Sequence, residues 1–295
     1  MVGTDTIFHR TYKIAKGPPS MSWSEYKRRL NHAWTQLLAS TPAEGAIHTF
    51  LEKHPNMLPG AFGSFGFPGS GSYPVRAALI TKPALQAAVQ RVPDFMWLGC
   101  DSATLYPTLI EIETPQKRWF NNRGVPTQQF TQALSQLREW RAWFNRRNNQ
   151  AIFMDQFEID SDYDRGRFKP LFVLIYGRRA EFQTNKHLLS LRAAHEQPDE
   201  AFMTFDRLAP QQSNDSFITI RRRPHWYEAV AVQPTLRMNP VLADFWLGIR
   251  GKTKAIRTCE WMTPERREFL ASRVAYWDRW AKRIDHGVIN MSDDE

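Results

Sequence analysis

Cysteine is nearly missing from this chain: its 295 residues include two, Cys100 and Cys259. They stand far apart and outside any CxxC pattern. That excludes a disulfide framework and a zinc ribbon, and makes a reducing cytoplasm the expected setting. Long apolar runs are missing as well. No stretch approaches the ~18–20 apolar residues of a membrane span, so no membrane association is expected. The start, Met1-Val2-Gly3-Thr4-Asp5, lacks the charged and apolar regions of a signal peptide. Neither GxSxG nor GxxxxGK[ST] occurs, and no two histidines stand four apart, which sets aside serine hydrolases, P-loop enzymes and HExxH zinc hydrolases. Internal repeats and Gly- or Ser-rich linkers are absent too. Acidic residues are in deficit, 30 against 39 Lys and Arg, for a formal net charge of +9 and a pI of about 9.7. That balance points toward an acidic partner, most simply nucleic acid.

What is present supports a folded core. Hydrophobic residues make up 42% and aromatic residues 13%, well above a disordered composition. Residues 1–20 read as an irregular arm ending in Gly17-Pro18-Pro19. Spacing predicts a helix over Ser22–Ser40, through Trp23, Tyr26, Leu30, Trp34 and Leu37, and a second from Thr41 to His54. After a loop from Pro59 to Pro74, strands are expected at Val75–Thr81, Phe95–Leu98 and Thr108–Glu113. A helix follows over Thr127–Arg147, and the uninterrupted apolar run Leu171-Phe172-Val173-Leu174-Ile175 reads as a fully buried strand. Further elements are a helix at Lys186–Ala194, strands at Ala201–Thr204, Phe217–Arg222 and Tyr227–Val232, and helices at Val241–Ile249 and Pro264–Ile284. The acidic tail Ser292-Asp293-Asp294-Glu295 is expected to be disordered. Strand, strand, helix, buried strand in that order implies an α/β core with a mixed sheet.

Three acids stand out on segments that otherwise read as core: Asp94 in Pro93-Asp94-Phe95, and Glu111 and Glu113 in Leu109-Ile110-Glu111-Ile112-Glu113. Glu111 and Glu113 share one strand face, ~7 Å apart, and a neighbouring strand lies ~4.8 Å away, so Asp94 can meet them. A desolvated carboxylate must be paired or bind a metal. Carboxylate oxygens suit Mg²⁺ or Mn²⁺, which activates water and neutralises a phosphate under attack. A surface hairpin showing acids on its wet face is the plainer alternative. Lys117 and Arg118, just past Pro115, would meet a phosphate approaching the acids. Gln129 and Gln136 lie seven apart on the following helix, suited to touch phosphate or orient water. Arg178 and Arg179, after the buried strand, and Arg222, in Arg221-Arg222-Arg223-Pro224-His225-Trp226, are further nucleic-acid candidates. Arg178 and Arg179 read as well as partners for nearby acids such as Glu181, and Arg222 as plain solvent-facing charge.

Pro93-Asp94, Glu111-Ile112-Glu113 and the helix carrying Gln136-Leu137-Arg138-Glu139-Trp140 together resemble the PD-(D/E)XK nuclease core. The wider chain resembles Shedu-type antiphage defence proteins in their C-terminal nuclease domain. The matching blocks are Phe50-Leu51-Glu52-Lys53-His54-Pro55, Pro93-Asp94-Phe95, Leu109 to Pro115, Leu174 to Arg179, and Thr204-Phe205-Asp206-Arg207-Leu208. They span roughly residues 44 to 210. The resemblance implies a restriction-endonuclease-like mixed sheet flanked by helices over 41–235, with an N-terminal helical arm (1–40) and a C-terminal helical extension (236–295) packed on it. It also implies a metal-dependent endonuclease cutting double-stranded DNA, phage DNA included, and a homo-oligomer. On its pattern Asp94 and Glu111 are metal ligands. Glu113 stands where the family has its catalytic lysine, so three outcomes stay open. Glu113 serves as ligand or base; Lys117 supplies the displaced amine; or the chain is an inactive DNA-binding or sensor module. Gln136 matches the glutamine that follows the core, and Glu52, or alternatively Glu44, would add a ligand from a preceding helix.

Overall fold

A computed structural model of the chain describes residues 10–63, 73–86, 92–159, 166–183, 185–283, 287–290 and 292–295. The Ser22 hydroxyl accepts a hydrogen bond from the Glu25 N–H at 3.3 Å and starts helix α1, Trp23–Ala39. Its Tyr26, Leu30, Trp34 and Leu38, spaced four apart, make the buried stripe. Helix α2, Glu44–Lys53, follows and buries Ile47 and Leu51. Thr127 caps α3, Gln128–Phe144, whose buried side runs through Phe130, Leu134, Leu137 and Trp140. The remaining helices are α4 (Arg147–Gln156), α5 (Ala180–Gln183), α6 (Lys186–His195), α7 (Pro240–Phe245), α8 (Lys252–Arg257) and α9 (Pro264–Ala281).

The strands are β1 (Tyr73–Pro74), β2 (Ala78–Thr81), β3 (Phe95–Cys100), β4 (Thr104–Ile112), β5 (Arg167–Phe168), β6 (Leu171–Ile175), β7 (Glu200–Met203), β8 (Ile218–Arg223), β9 (Trp226–Ala231) and β10 (Ile249–Arg250). They form one mixed sheet in the order β10-β9-β8-β2-β3-β4-β6-β7, with β1 against β3 and β5 against β4. β4 is the pivot, antiparallel to β3 and parallel to β6. β6 has parallel neighbours on both edges, which is why its five residues are all apolar and all buried. Pro107 falls where β4 changes partner, from β5 at Thr104 and Leu105 to β6 from Thr108 onward, the interruption a strand proline needs. The expected α/β fold with a central mixed sheet and flanking helices is therefore what forms.

Some expectations need correction. Val75–Ala77 is a 3-10 turn, with Arg76 at φ 63° and Ala77 at φ 46°, and the strand begins only at Ala78. Left-handed backbone at two successive residues cannot continue a ladder. Helix α4 was not expected, because only Phe153 of its ten residues is buried and it shows no apolar stripe. The acidic tail is tied down. Asp294 pairs with Arg237 at 2.7 Å, Asp293 accepts from the Tyr12 hydroxyl at 2.8 Å, and Glu295 meets Arg266 at 2.6 Å. Arg266 on α9 is 2% exposed, and a cation so desolvated requires a carboxylate. The stretch 236–295, expected to be helical, also adds β10 to the sheet, and its buried apolar residues share one core cluster with those of α1.

Candidate functional site

The β3–β4 register pairs Phe95 with Ile110, so one further step sets Asp94 across from Glu111. The Asp94 Oδ2 accepts the Ile112 N–H at 2.8 Å, which locks that register. Ile110 and Ile112 point into the core while Glu111 and Glu113 share the other face. Asp94 is 3% exposed, Glu111 8% and Glu113 9%, so none of the three is a wet-face acid. The surface-hairpin alternative is thereby removed.

Two of the acids have a lysine. Lys82 donates to Asp94 Oδ1, and Lys117 donates to Glu113 Oε2 one helical-turn spacing away. Glu111 has none: its Oε2 is buried without a hydrogen-bond partner. Burial, then the charges of Asp94 and Glu113, push the Glu111 carboxyl well above the usual carboxylate range, against the relief that Lys82 provides. Burial, then Asp94 and Glu113, also raise Glu44, at the start of α2. Lys82 enters from β2, whose Thr81 faces Phe95, so Lys82 lies opposite Asp94. Its own N–H donates to the Asp94 carbonyl at 2.8 Å, and it takes the unusual φ of 46°.

A second group stands behind. His48 on α2 stacks on Phe95 with ring centres 4.5 Å apart, and its Nε2 lies 4.0 Å from Asp94 Oδ1. Burial, then Lys82, lowers the His48 pKa. Glu52 accepts from the Thr81 hydroxyl at 2.6 Å and from Arg221 at 3.3 Å, with His48 Nδ1 at 3.8 Å. Glu52 is thus engaged by Thr81 and Arg221. Of the two helix acids it is Glu44 whose charge bears on Glu111. Sequence reasoning missed Lys82 and His48. The signals were there: Glu44, His48 and Glu52 repeat every four residues along one helix face, and Lys82 directly follows the strand that precedes Asp94.

The acids supply only carboxylate oxygens, the donors Mg²⁺ and Mn²⁺ prefer, and the partnerless Glu111 Oε2 is the atom a cation would satisfy. In donor chemistry the set fits such an ion. Among the described residues, however, no three His, Cys, Asp or Glu side chains are already gathered for a metal. Asp94 and Glu113 are held by lysines instead.

Beside the acids lies an open groove lined by Thr114, Gln116, Lys117, Arg118, Asn122, Arg123, Thr127 and Gln129, among others. It brings Lys117, Arg118 and Gln129 together, and no carboxylate lines it. Gln136 is half-buried on α3, outside this lining. Arg178 has an acid partner, Asp206 rather than Glu181: it clasps Asp206 through Nε and Nη2, at 2.9 and 2.7 Å, and donates to the Leu38 carbonyl. Arg179 also turns to that segment, donating to the Asp206 carbonyl at 3.3 Å. Arg222 is an internal tie, bonded to the carbonyls of Gln156 and Trp226 and to Glu158 at 2.9 Å. An arginine after a strand finds backbone carbonyls close by, and only the tertiary fold reveals them. Arg178→Ala is therefore expected to cost about 1–2 kcal/mol of stability by loss of a bidentate pair, with DNA affinity unchanged. Thermal melting and a binding titration check both halves.

Among the described residues no helix is long and apolar enough to cross a membrane. No curated protein matches the chain. A family model described as Shedu protein SduA, C-terminal, matches residues 42–209. That stretch is more than half of the 295 residues and holds Asp94, Glu111, Glu113, both lysines and the groove, and the chain belongs to this Shedu family.

Proposed function

We propose that this chain is a metal-dependent endonuclease that hydrolyses phosphodiester bonds of duplex DNA on a PD-(D/E)XK-type core. Membership in the Shedu family points to a role in antiphage defence. The observation that carries the reading is the Glu111 carboxyl, buried among other acids with one oxygen lacking any partner. A group in that state is costly unless function retains it. Asp94, Glu111 and Glu113 would hold Mg²⁺ or Mn²⁺, with Glu44 the nearest further acid. The chemistry a bound ion supplies here is activation of water and neutralisation of phosphate charge. The chain's own residues do the rest. Lys82 and Lys117 bring ammonium groups to the acids, where they can steady charge building on a phosphate. Arg118 and Gln129 hold the DNA backbone in the adjoining groove, and Gln136 orients water or phosphate. Assembly as a homo-oligomer belongs to the same reading, and light scattering of the purified chain would reveal it.

One observation favours a second reading. Asp94 and Glu113 already have cations in Lys82 and Lys117, so the fold closes without a metal. A DNA-binding or sensor module without catalysis would look the same. Incubation with supercoiled plasmid decides between them. Nicking that requires Mg²⁺ or Mn²⁺, stops with chelator and is lost in Asp94→Ala supports the enzyme. Retention of plasmid without nicking under any metal supports the module.

A further inference from the structure

The groove beside the acids has one wall whose construction the hydrolytic reading does not use. Phe120 and Pro126 form an isolated antiparallel bridge, closing a hairpin over Asn121–Val125. Its backbone is bonded internally: Asn121 N–H to the Val125 carbonyl at 2.9 Å, and Gly124 N–H to the Asn121 carbonyl at 3.0 Å. The Asn121 side chain accepts from the N–H groups of Arg123 and Val125, at 2.9 and 3.1 Å. Gly124 takes φ +75°, a conformation the turn requires and a side chain resists. Below, Trp119 and Phe120 are fully buried, and their N–H groups donate to the Glu181 carboxylate at 3.1 and 2.9 Å. Above, Thr127 donates to the Arg118 carbonyl at 2.7 Å and caps α3. The hairpin's turn is thus held by hydrogen bonds within the chain itself.

What it presents is equally specific. Asn122, Arg123 and Val125 are exposed, Val125 to 53%, and Arg123 forms no ion pair with any described residue. From Thr114 to Arg138 the sequence contains no acid, while Lys117, Arg118, Arg123 and Arg138 supply positive charge. A free guanidinium on a narrow, rigid tip, flanked by an amide and a small apolar side chain, suits the DNA minor groove. That groove is narrow, carries enhanced negative potential in A·T tracts, and offers acceptors with little to distinguish the two A·T orientations. Lys117 and Arg118, set back at the tip's base, would take the flanking phosphates.

We infer that the Asn121–Val125 hairpin enters the minor groove of duplex DNA with Arg123 as its inserted side chain, giving a preference for A·T-rich duplexes. This rests on the DNA reading above and adds to it a contact and a preference. The test is fluorescence anisotropy on matched A·T-tract and G·C-rich duplexes, with Ca²⁺ in place of Mg²⁺ so that binding is read without turnover. Wild type should favour the A·T tract. Arg123→Ala should lose about tenfold on it and bind the two duplexes alike, the loss expected for one good groove contact. Arg123→Lys should keep the charge yet lose most of the preference, since an ammonium is more strongly hydrated and lacks the planar fork. Unchanged binding by Arg123→Ala, with wild type binding normally, overturns this inference alone. An equal loss on both duplexes with a lower salt slope overturns the groove placement and makes Arg123 a phosphate contact. Absence of any duplex binding by wild type removes the DNA reading itself.

Discussion

Glu111→Gln is expected to lower metal-dependent DNA cleavage by about 10³-fold or more, roughly 4 kcal/mol of transition-state stabilisation, while the protein still folds. The amide matches the carboxylate in size but replaces an oxygen with an N–H₂ that cannot bind a cation. The substitution also removes the burial cost that raises this carboxyl. The sign follows from linkage. Because the folded value lies above the ordinary 4.5, the unfolded chain ionises first. Stability associated with this group is full below that value and falls as pH rises toward the raised folded one. Metal-free wild type should therefore melt earlier as pH rises from acid toward neutral, and Mn²⁺ should reverse the fall. In Glu111→Gln the metal-free protein should melt later than wild type near neutral pH, with that part of the pH dependence gone. Single-turnover cleavage and melting curves with and without Mn²⁺ read all of this. Cleavage within about twofold of wild type, or equal Mn²⁺ stabilisation of the variant, would sink the assignment of Glu111 as a ligand.

Lys82→Ala should be next in size, with cleavage down about 10²-fold, against about tenfold for Lys117→Ala. Lys82 reaches Asp94 directly and eases the charge on Glu111, whereas Lys117 reaches Glu113 at the end of the constellation. The informative readout is metal affinity. An ammonium on Asp94 competes with a cation for the same oxygen, so Lys82→Ala should bind Mn²⁺ as well as or better than wild type while cutting less. By the same argument Lys117→Ala, which frees Glu113, should bind Mn²⁺ no less well than wild type. Should Lys82→Ala lose metal binding together with cleavage, the lysine serves only to hold Asp94 in position. Calorimetric titration beside the cleavage assay separates the cases.

The acids were legible from sequence because burial and charge conflict in a way that shows in the letters. Carboxylates on Ile-rich strand segments are rare enough to draw attention, and period-two alternation placed Glu111 and Glu113 on one face. Lys82 was not legible as their partner. It follows a strand whose start was misplaced by three residues, since left-handed Arg76 and Ala77 leave no trace in an apolar pattern. His48 was passed over because a lone histidine on a helix reads as ordinary, and only its stacking on Phe95 brings it to Asp94. Arg178 and Arg222 left two readings open in the sequence. Exposed cation and internal tie look identical until Asp206, Leu38, Gln156 and Glu158 arrive from distant segments. The acidic tail was misjudged for the same reason, its partner Arg266 lying 29 residues away.

Local sequence by itself determined most helices and strands, the buried β6 run, the acid pattern of β4 and the acid-free stretch after it. Short-range periodicity and charge content are properties of neighbouring residues, and they survive without a fold. The tertiary structure alone decided which cation meets which carboxylate. It left one oxygen of Glu111 without a hydrogen-bond partner, Arg123 free of any ion pair with a described residue, and Arg178 and Arg222 tied to acids and carbonyls of the chain. Those outcomes depend on strand register and on contacts between residues far apart in the chain. Each is a competition among several nearby groups that composition cannot rank.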